Sequence, residues 1–296
     1  MERKTAHDFD QDLLILFDAY VHGGIDRRTF LDRAAKYAVG GVTAAMLLEQ
    51  LSPKFLEAQV IKPEDTRIQQ QHVEYASPNG YGKMRGYLTR PAGATGRAPG
   101  ILVIHENRGL NPHIEDIARR LAVDGFVAFA PDALFPLGGY PGDEDKAREA
   151  FGKLEQPKCR EDFVAAAAFL KARPECTGRI GAVGFCYGGG MVNYLATRLG
   201  SDLSAGVAFY GSSPDLADVP KIRAPLMVQS AETDARINAS WPAFEEALKA
   251  AKVPYERHLY AGTQHGFNND TTPRYDAAAA KLAWERTLAF FRQHVR

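Results

Sequence analysis

The chain has 296 residues, with 36 lysines and arginines against 36 aspartates and glutamates, so its formal net charge is zero. This balance argues against nucleic acid or an anionic membrane as the main partner, because both attract proteins with a basic surplus. Hydrophobic residues make up 45% of the chain and aromatic residues 10%, which is typical of a folded globular protein. The three cysteines are too sparse for a disulfide framework, and no cysteine or histidine pair has metal-ligand spacing, so we expect no metal site.

Residues 1–60 have two interpretations. The stretch FDQDLLILFDAY has a helical period, which favours a helical arm that packs on the main domain or on a second copy of the chain, and this leaves a homodimer open. The stretch RRTFL (27–31) and the uncharged run 37–48 instead resemble a twin-arginine export signal, although the run is too short to span a bilayer. The arginines come late and no clean cleavage site follows. We therefore favour the arm and a cytoplasmic protein, with export to the periplasm as the alternative.

From about residue 66 to residue 296, predicted strands and helices alternate in a single domain. Two alternating segments, QHVEYAS and KMRGYLTRP, are typical of half-buried antiparallel strands. Continuous apolar runs such as GILVIHE, FVAFAPD and RIGAVGF are typical of central parallel strands covered on both faces. Helical segments follow most of these runs, whereas residues 133–160 suggest a loop and a short helix. The pattern predicts an α/β fold with a mainly parallel sheet and helices on both faces.

Three reactive side chains fall at the ends of predicted strands. Cys186 lies in GFCYGGG, a G-x-C-x-G frame in which many hydrolases carry a serine nucleophile. The glycines permit a sharp turn, and the helix N-terminus behind the cysteine favours the reactive thiolate. Asp234 and His265 follow, in the chain order nucleophile, acid, histidine. We predict a catalytic triad in which His265 takes the thiol proton and Asp234 fixes the imidazole tautomer.

Backbone and aromatic groups near these strand ends would complete a site. The stretch IHENRGL ends an earlier central strand, so we expect the backbone N–H groups of Asn107 and Tyr187 to form an oxyanion hole. Several side chains on loops or strand ends are candidates for lining a substrate pocket, with core packing as the alternative: Phe135, Tyr140, Tyr187, Phe209, Tyr210, Trp241 and Phe267.

Residues 66–296 resemble the dienelactone hydrolase family, a branch of the α/β-hydrolases with a cysteine nucleophile. The resemblance rests on HENRGLNPHIEDIARRLAVDGFVAFAPD, GAVGFCYGGG, ETD and QHGF, which are specific in combination. It implies hydrolysis of enol-lactones and other activated esters through an acyl-enzyme, without a cofactor. It also implies that Glu106 contacts the thiol in the resting enzyme and releases it to the histidine when substrate arrives. An ion pair between Glu106 and Arg108 is the alternative.

Two departures from the family pattern bear on the substrate. The family's dienelactone-specific enzymes hold the substrate carboxylate with two arginines, but here the corresponding segments read ALFPLGGY, without arginine, and HGFNND, with Asn268 and Asn269. An asparagine lacks the charge and the bidentate geometry of an arginine. We therefore predict a neutral or differently shaped ester or lactone as substrate rather than dienelactone, with Arg108 as a candidate replacement charge.

Two other functions are compatible with the motifs. A thiol peptidase or acyltransferase could use the same three residues, although the sequence shows no signal for binding an extended peptide. A non-catalytic protein could use the pocket to hold a ligand, but an intact set of nucleophile, acid and histidine argues against that interpretation.

Overall fold

A computed structural model describes residues 4–296; residues 1–3 of the N-terminal segment lie outside the described residues. The helices are α1 (Gln11–Val21), α2 (Arg27–Ala34), α3 (Ala44–Leu51), α4 (Phe55–Ala58), α5 (Pro112–Val123), α6 (Glu144–Gly152), α7 (Gln156–Lys171), α8 (Tyr187–Leu199), α9 (Ala235–Asn238), α10 (Trp241–Ala250) and α11 (Ala277–His294). The strands are β1 (Ile68–Ser77), β2 (Gly82–Pro91), β3 (Ala98–Ile104), β4 (Val127–Pro131), β5 (Cys176–Phe185), β6 (Ala205–Phe209), β7 (Leu226–Ala231) and β8 (Tyr255–Tyr260).

The eight strands form one sheet in the order β1-β2-β4-β3-β5-β6-β7-β8. β2 pairs antiparallel with β1 and β4, and all the other neighbours are parallel. The predicted α/β architecture, with a mainly parallel sheet, is therefore confirmed. Because the parallel strands run in one direction, the ends of β3, β5, β6, β7 and β8 meet along one edge, where an active site is expected in such sheets.

Helices cover both faces of the sheet, and the alternation of side chains along each strand feeds two separate cores. In β3, Ile101 and Val103 join the core beneath α5 and α11, whereas Leu102 and Ile104 join the core beneath α7, α8 and α10. All four side chains are at most 1% exposed. This two-sided burial explains why β3 reads as a continuous apolar run rather than as an alternating one.

The N-terminal helices α1–α3 form a small third core of their own, with buried Leu13, Phe17, Phe30, Leu48 and Leu51. The linker after α4 is anchored to the main domain by hydrogen bonds that its backbone N–H groups donate to a side chain. The Asp116 carboxylate accepts from the backbone N–H groups of Val60 and Ile61 at 3.0 and 2.8 Å. Within residues 4–296, no helix combines the length and apolar character needed to cross a membrane.

Most predicted elements occur where the sequence pattern puts them, with shifted ends. Asn111 caps α5 through its side chain, Pro112 occupies the first turn, and Gly125 follows the helix with a φ of +96°. The largest difference is in the segment 133–160, because α7 already begins at Gln156 within the predicted loop. Its first turn carries a proline and charged side chains, which hide the helical period of the rest.

The turn between β5 and α8 depends on glycines that admit close backbone contacts. A Cβ at Gly188 would overlap the carbonyl oxygen of Ile104 at the end of β3. We therefore expect Gly188→Ala to lower the free energy of unfolding by about 1–3 kcal/mol, the usual cost of overpacking. Urea denaturation measures this, with Gly152→Ala as the control, because a Cβ at Gly152 meets nothing within 4 Å. Equal stability of the two variants would contradict the close approach.

Candidate active site

Cys186 lies at the sharp turn between β5 and α8. It is one of three non-glycine residues with positive φ, at +55°, among residues 4–296, and it precedes the first residue of α8. Its backbone N–H donates to the carbonyl oxygen of Phe209 on the neighbouring strand at 3.0 Å. The sulfur therefore lies in front of the N-terminus of α8, at the sheet edge where strands β3 to β8 end.

His265 and Asp234 meet beside this sulfur. Nδ1 of His265 shares a short hydrogen bond with the Asp234 carboxylate, and both residues are only 6% exposed. The other oxygen of Asp234 accepts from the backbone N–H of Ile237 at 3.3 Å and so caps α9. Nε2 of His265 is buried and has no hydrogen-bond partner among the described residues. The sequence-predicted residues 186, 234 and 265 thus lie in one cluster.

A second histidine, which the sequence analysis missed, reaches the same sulfur from the N-terminal arm, defined here as residues 4–58. Nε2 of His22 lies 3.2 Å from Sγ of Cys186. The rings of His22 and His265 meet edge to face, with centroids 4.7 Å apart. Nδ1 of His22 lies 2.8 Å from the backbone carbonyl of Asp18 and 3.3 Å from its carboxylate, and Arg274 Nη1 donates to that carboxylate at 3.1 Å.

The C-terminal end of α1 is anchored by donors from the main domain. The carbonyl oxygen of Val21 accepts from Asn107 Nδ2 at 3.0 Å and from Arg108 Nη2 at 3.1 Å. Arg148 donates to the carbonyl oxygen of Tyr20 at 2.6 Å. The last carbonyls of a helix lack partners within the helix and carry partial negative charge, so cationic donors suit them. These contacts hold the arm across the site.

The two imidazoles change the acidity of the cysteine. Burial alone would raise the pKa of the Cys186 thiol, but the charges of His265 and His22 override burial and lower that pKa to about 6. Burial would likewise lower the pKa of His22, yet the neighbouring sulfur and Asp18 raise it to about 10. The pKa of His265 is also raised, since Cys186 and Asp234 outweigh its burial. The arrangement favours a thiolate beside imidazolium at neutral pH.

The structure gives Glu106 and Arg108 partners that the sequence did not suggest. The Glu106 carboxylate accepts a hydrogen bond from Asn269 Nδ2 at 3.0 Å, and among residues 4–296 it forms neither a hydrogen bond with the thiol nor an ion pair with Arg108. Arg108 instead lies 3.5 Å from the Glu144 carboxylate and donates to the Asn107 side chain at 2.7 Å. Arg108 lies at the end of α1, because its guanidinium donates to the docked arm.

The loop after β3 approaches the start of α8, as an oxyanion hole requires. The carbonyls of Ile104 and His105 are the nearest atoms to a Cβ built at Gly188, one residue beyond Tyr187. His105 is buried, and its Nδ1 lies 2.6 Å from the carbonyl oxygen of Glu106. Burial lowers the pKa of His105 to about 4, so its ring is neutral and Nδ1 can donate to that carbonyl. This bond helps fix the loop that carries Asn107.

The aromatic candidates divide between a cavity, the histidine and the core. Tyr140 lines a cavity of about 510 Å³ with Phe17, Val21, Glu106, Arg108 and Arg274. Tyr210 is buried with its ring centroid 4.9 Å from that of His265, and Phe267 packs behind Tyr210. Trp241 packs against Phe244 and Tyr255, and Phe135 lies beneath the guanidinium of Arg85. These contacts place Trp241, Phe135 and Phe267 in the packing around the site, and a role in binding substrate stays a prediction for them.

A second cavity, of about 350 Å³, lies on the other side of Asn107 and is lined by His22, Gly23, Ile25, Arg148 and Phe151. The arm therefore contributes walls to both cavities. The side-chain nitrogen and sulfur atoms of His22, Cys186 and His265 lie within 4.8 Å of one another. Sequence spacing does not predict this group, because His22 lies in the arm, 164 positions before Cys186.

Comparisons with known proteins agree with the fold. The model of the dienelactone hydrolase family matches residues 84–295, and a model described as YqhI-like matches residues 1–36. "Protein usf" of Aquifex pyrophilus is 34% identical over 229 residues, covering 72% of this chain and 94% of that protein. A Salmonella typhi protein provisionally named carboxymethylenebutenolidase is 31% identical over 227 residues, covering 71% of this chain and 83% of its own.

Among solved structures, a Klebsiella pneumoniae protein provisionally named dienelactone hydrolase superposes with a TM-score of 0.68. It is 29% identical to this chain, and the match covers 76% of this chain and all of the other. These matches agree with the mainly parallel sheet and with the α/β-hydrolase fold. The chain belongs to the dienelactone hydrolase family and is a hydrolase with the α/β-hydrolase fold.

Proposed function

We propose that this protein hydrolyses carboxylic esters or lactones without a cofactor, through a covalent acyl-enzyme on Cys186. The observation that carries the proposal is the buried cluster of Cys186, His265 and Asp234 at the strand ends. A thiolate at the start of a helix is a competent nucleophile, and a carboxylate-backed imidazole is a competent acid and base. The family match supports hydrolysis in general, whereas the ester or lactone specificity is our inference.

The reaction needs two half-steps. The thiolate attacks the carbonyl carbon, and backbone N–H groups of Asn107 and Tyr187 stabilise the oxyanion. As the tetrahedral intermediate collapses, the leaving alkoxide takes the former thiol proton from an imidazolium beside the sulfur, and a thioester on Cys186 is left. A water molecule, deprotonated by His265, then attacks the thioester and releases the acid. Asp234 stabilises the imidazolium that forms in this step and keeps the ring oriented.

The cavity beside Glu106 and Arg108, which Cys186 and His265 adjoin but do not line, favours a small substrate over a peptide chain. The walls of the cavity of about 510 Å³ combine aromatic rings with charged Glu106, Arg108 and Arg274. Arm residues Phe17 and Val21 close part of it, which leaves little room for an extended chain. An ester or lactone of modest size that presents polar groups to these charges fits better than a protein substrate.

Turnover of a p-nitrophenyl ester by wild type, Cys186→Ala and Cys176→Ala tests the proposal. We expect wild type to release nitrophenol with an initial burst, because thioester formation with a good leaving group precedes slower hydrolysis. Cys186→Ala should show no turnover above background. Cys176→Ala should retain activity, because Cys176 is buried at the opposite end of β5. No wild-type turnover, or equal turnover by Cys186→Ala, would favour a ligand-binding protein instead.

A further inference from the structure

Two imidazoles lie beside the sulfur of Cys186, but they differ in their hydrogen-bond geometry toward it. His22 Nε2 lies within hydrogen-bonding distance of Cys186 Sγ, at 3.2 Å. Nε2 of His265 is buried and has no hydrogen-bond partner among residues 4–296. The usual assignment, in which the triad histidine holds the thiol proton, does not explain this asymmetry. In this resting arrangement the arm histidine meets the geometry of a hydrogen bond to the sulfur, whereas His265 acts on the sulfur chiefly through its charge.

The partners of His22 fix where its protons lie. Its Nδ1 faces two oxygen atoms of Asp18, the backbone carbonyl at 2.8 Å and the carboxylate at 3.3 Å, so Nδ1 carries a hydrogen. Nε2 therefore either accepts the thiol proton or, as imidazolium, donates it back to the thiolate. In both cases the single proton between nitrogen and sulfur belongs to the pair of His22 and Cys186. The Asp18 carboxylate, held by Arg274, stabilises the charged form.

We propose that His22 is a catalytic residue of this hydrolase: the arm supplies a second carboxylate–imidazole pair, Asp18 with His22, that takes the thiol proton of Cys186. His22 then gives that proton to the leaving group, and His265 with Asp234 activates the hydrolytic water. The inference rests on the proposed acyl-enzyme chemistry and assigns the two histidines separate steps. The active site is accordingly incomplete without α1.

The charged groups around the pair are consistent with this division. Arg236, on α9, lies with Nη2 3.4 Å from His22 Nε2, at the limit of a hydrogen bond and farther than the sulfur. The positive charge of Arg236 destabilises the His22 imidazolium but stabilises the Cys186 thiolate. Arg108, from the loop after β3, carries a positive charge that the sulfur of Cys186 senses, and its neighbour Glu106 is engaged by Asn269. Asp18 is thus the carboxylate that contacts His22 directly.

The proton balance closes over one turnover. The S–H bond of Cys186 breaks, the proton moves to His22 Nε2, and the electron pair stays on sulfur. Sulfur bonds to the carbonyl carbon, the C–O bond breaks, and the alkoxide leaves with the proton from His22. Water then bonds to the same carbon while His265 takes one of its protons, and the C–S bond breaks. The thiolate regains a proton from His265, so ester and water yield acid and alcohol.

The rate of Cys186 alkylation by iodoacetamide, measured against pH, tests the role of His22 without requiring ester turnover. Wild type, His22→Gln and His22→Ala are compared in the full-length chain, with a chelator present so that bound metal does not contribute. Glutamine can still donate a hydrogen bond to sulfur but cannot accept the thiol proton. His72→Gln is the matched control, because His72 is an exposed histidine on β1 that pairs with Glu115.

Near pH 6, the wild-type pKa of the thiol, both His22 variants should alkylate about fivefold more slowly, approaching about tenfold at lower pH, as expected for a rise of about one pKa unit. Above about pH 9.5, where an ordinary thiol is ionised, their rates should equal the wild-type rate. Ester kcat should fall with the same pH dependence, while KM changes little. Wild-type alkylation profiles in both variants, with Cys186→Ala inactive on ester, would overturn the inference and leave the proposed function intact. Shifted profiles with no wild-type ester turnover would uphold the ion pair and refute the esterase.

Discussion

His265→Ala will lower kcat for a p-nitrophenyl ester by about 10⁵-fold, because His265 is the base that activates the hydrolytic water. The buried Nε2 of His265 has no partner in the described part of the chain and is available to a water molecule or leaving group. If His22 takes the thiol proton, the variant should still acylate slowly and then stall as a thioester. Stopped-flow release of nitrophenol should therefore show one equivalent of product followed by almost no turnover.

The matched control for this change is His258→Ala. His258 lies on β8 and pairs with Glu256 rather than with any group of the active site. Its removal should leave kcat within about twofold of wild type, as is usual for surface substitutions away from a site. Full multiple turnover by His265→Ala would show that another base serves the thioester, and the roles assigned to the two histidines would be wrong.

Asp234→Asn will lower kcat by about 10⁴-fold while leaving the protein folded, because the amide holds the wrong imidazole tautomer. The Asp234 carboxylate accepts the short hydrogen bond from His265 Nδ1. An amide N–H group in the same place would donate to Nδ1 instead. The amide oxygen can still accept from Ile237 N–H and cap α9, so the loss would not arise from unfolding. Steady-state kinetics and thermal melting measure the two effects.

Asp276→Asn provides the comparison for Asp234→Asn. Asp276 caps α11 through the backbone N–H of Ala279, as Asp234 caps α9 through Ile237. The two substitutions therefore cost similar helix-capping energy, and asparagine caps nearly as well as aspartate. Equal activity of both variants would mean that Asp234 only caps a helix, which would remove it from the catalytic machinery.

Most of the fold could be predicted from the sequence, because runs and periods of apolar residues mark the individual strands and helices. The runs in β3 and β5 are apolar on both faces, as central parallel strands must be. The cysteine turn, the acid and the histidine each follow a strand, so a parallel sheet brings them to one edge. The glycine frame around Cys186 was informative because Gly188 packs directly against the carbonyl of Ile104.

The contacts of the arm could not be predicted in this way. His22 and Cys186 are 164 positions apart, and Glu106 and Asn269 are 163 positions apart. The amphipathic period of α1 indicates that one face is buried but does not identify its partner. Docking depends on Asn107, Arg108 and Arg148 donating to the last carbonyls of α1, which is a tertiary match without a sequence period.

Mass spectrometry of a trapped acyl-enzyme tests most directly whether Cys186 is a nucleophile served by a carboxylate-backed imidazole. The enzyme is mixed with a slowly hydrolysed ester, quenched in acid, digested and analysed by mass spectrometry. We expect the acyl mass on the peptide that contains Cys186, with its amount increased in His265→Ala. Acyl groups found on another peptide, or on none while ester is being consumed, would contradict the account.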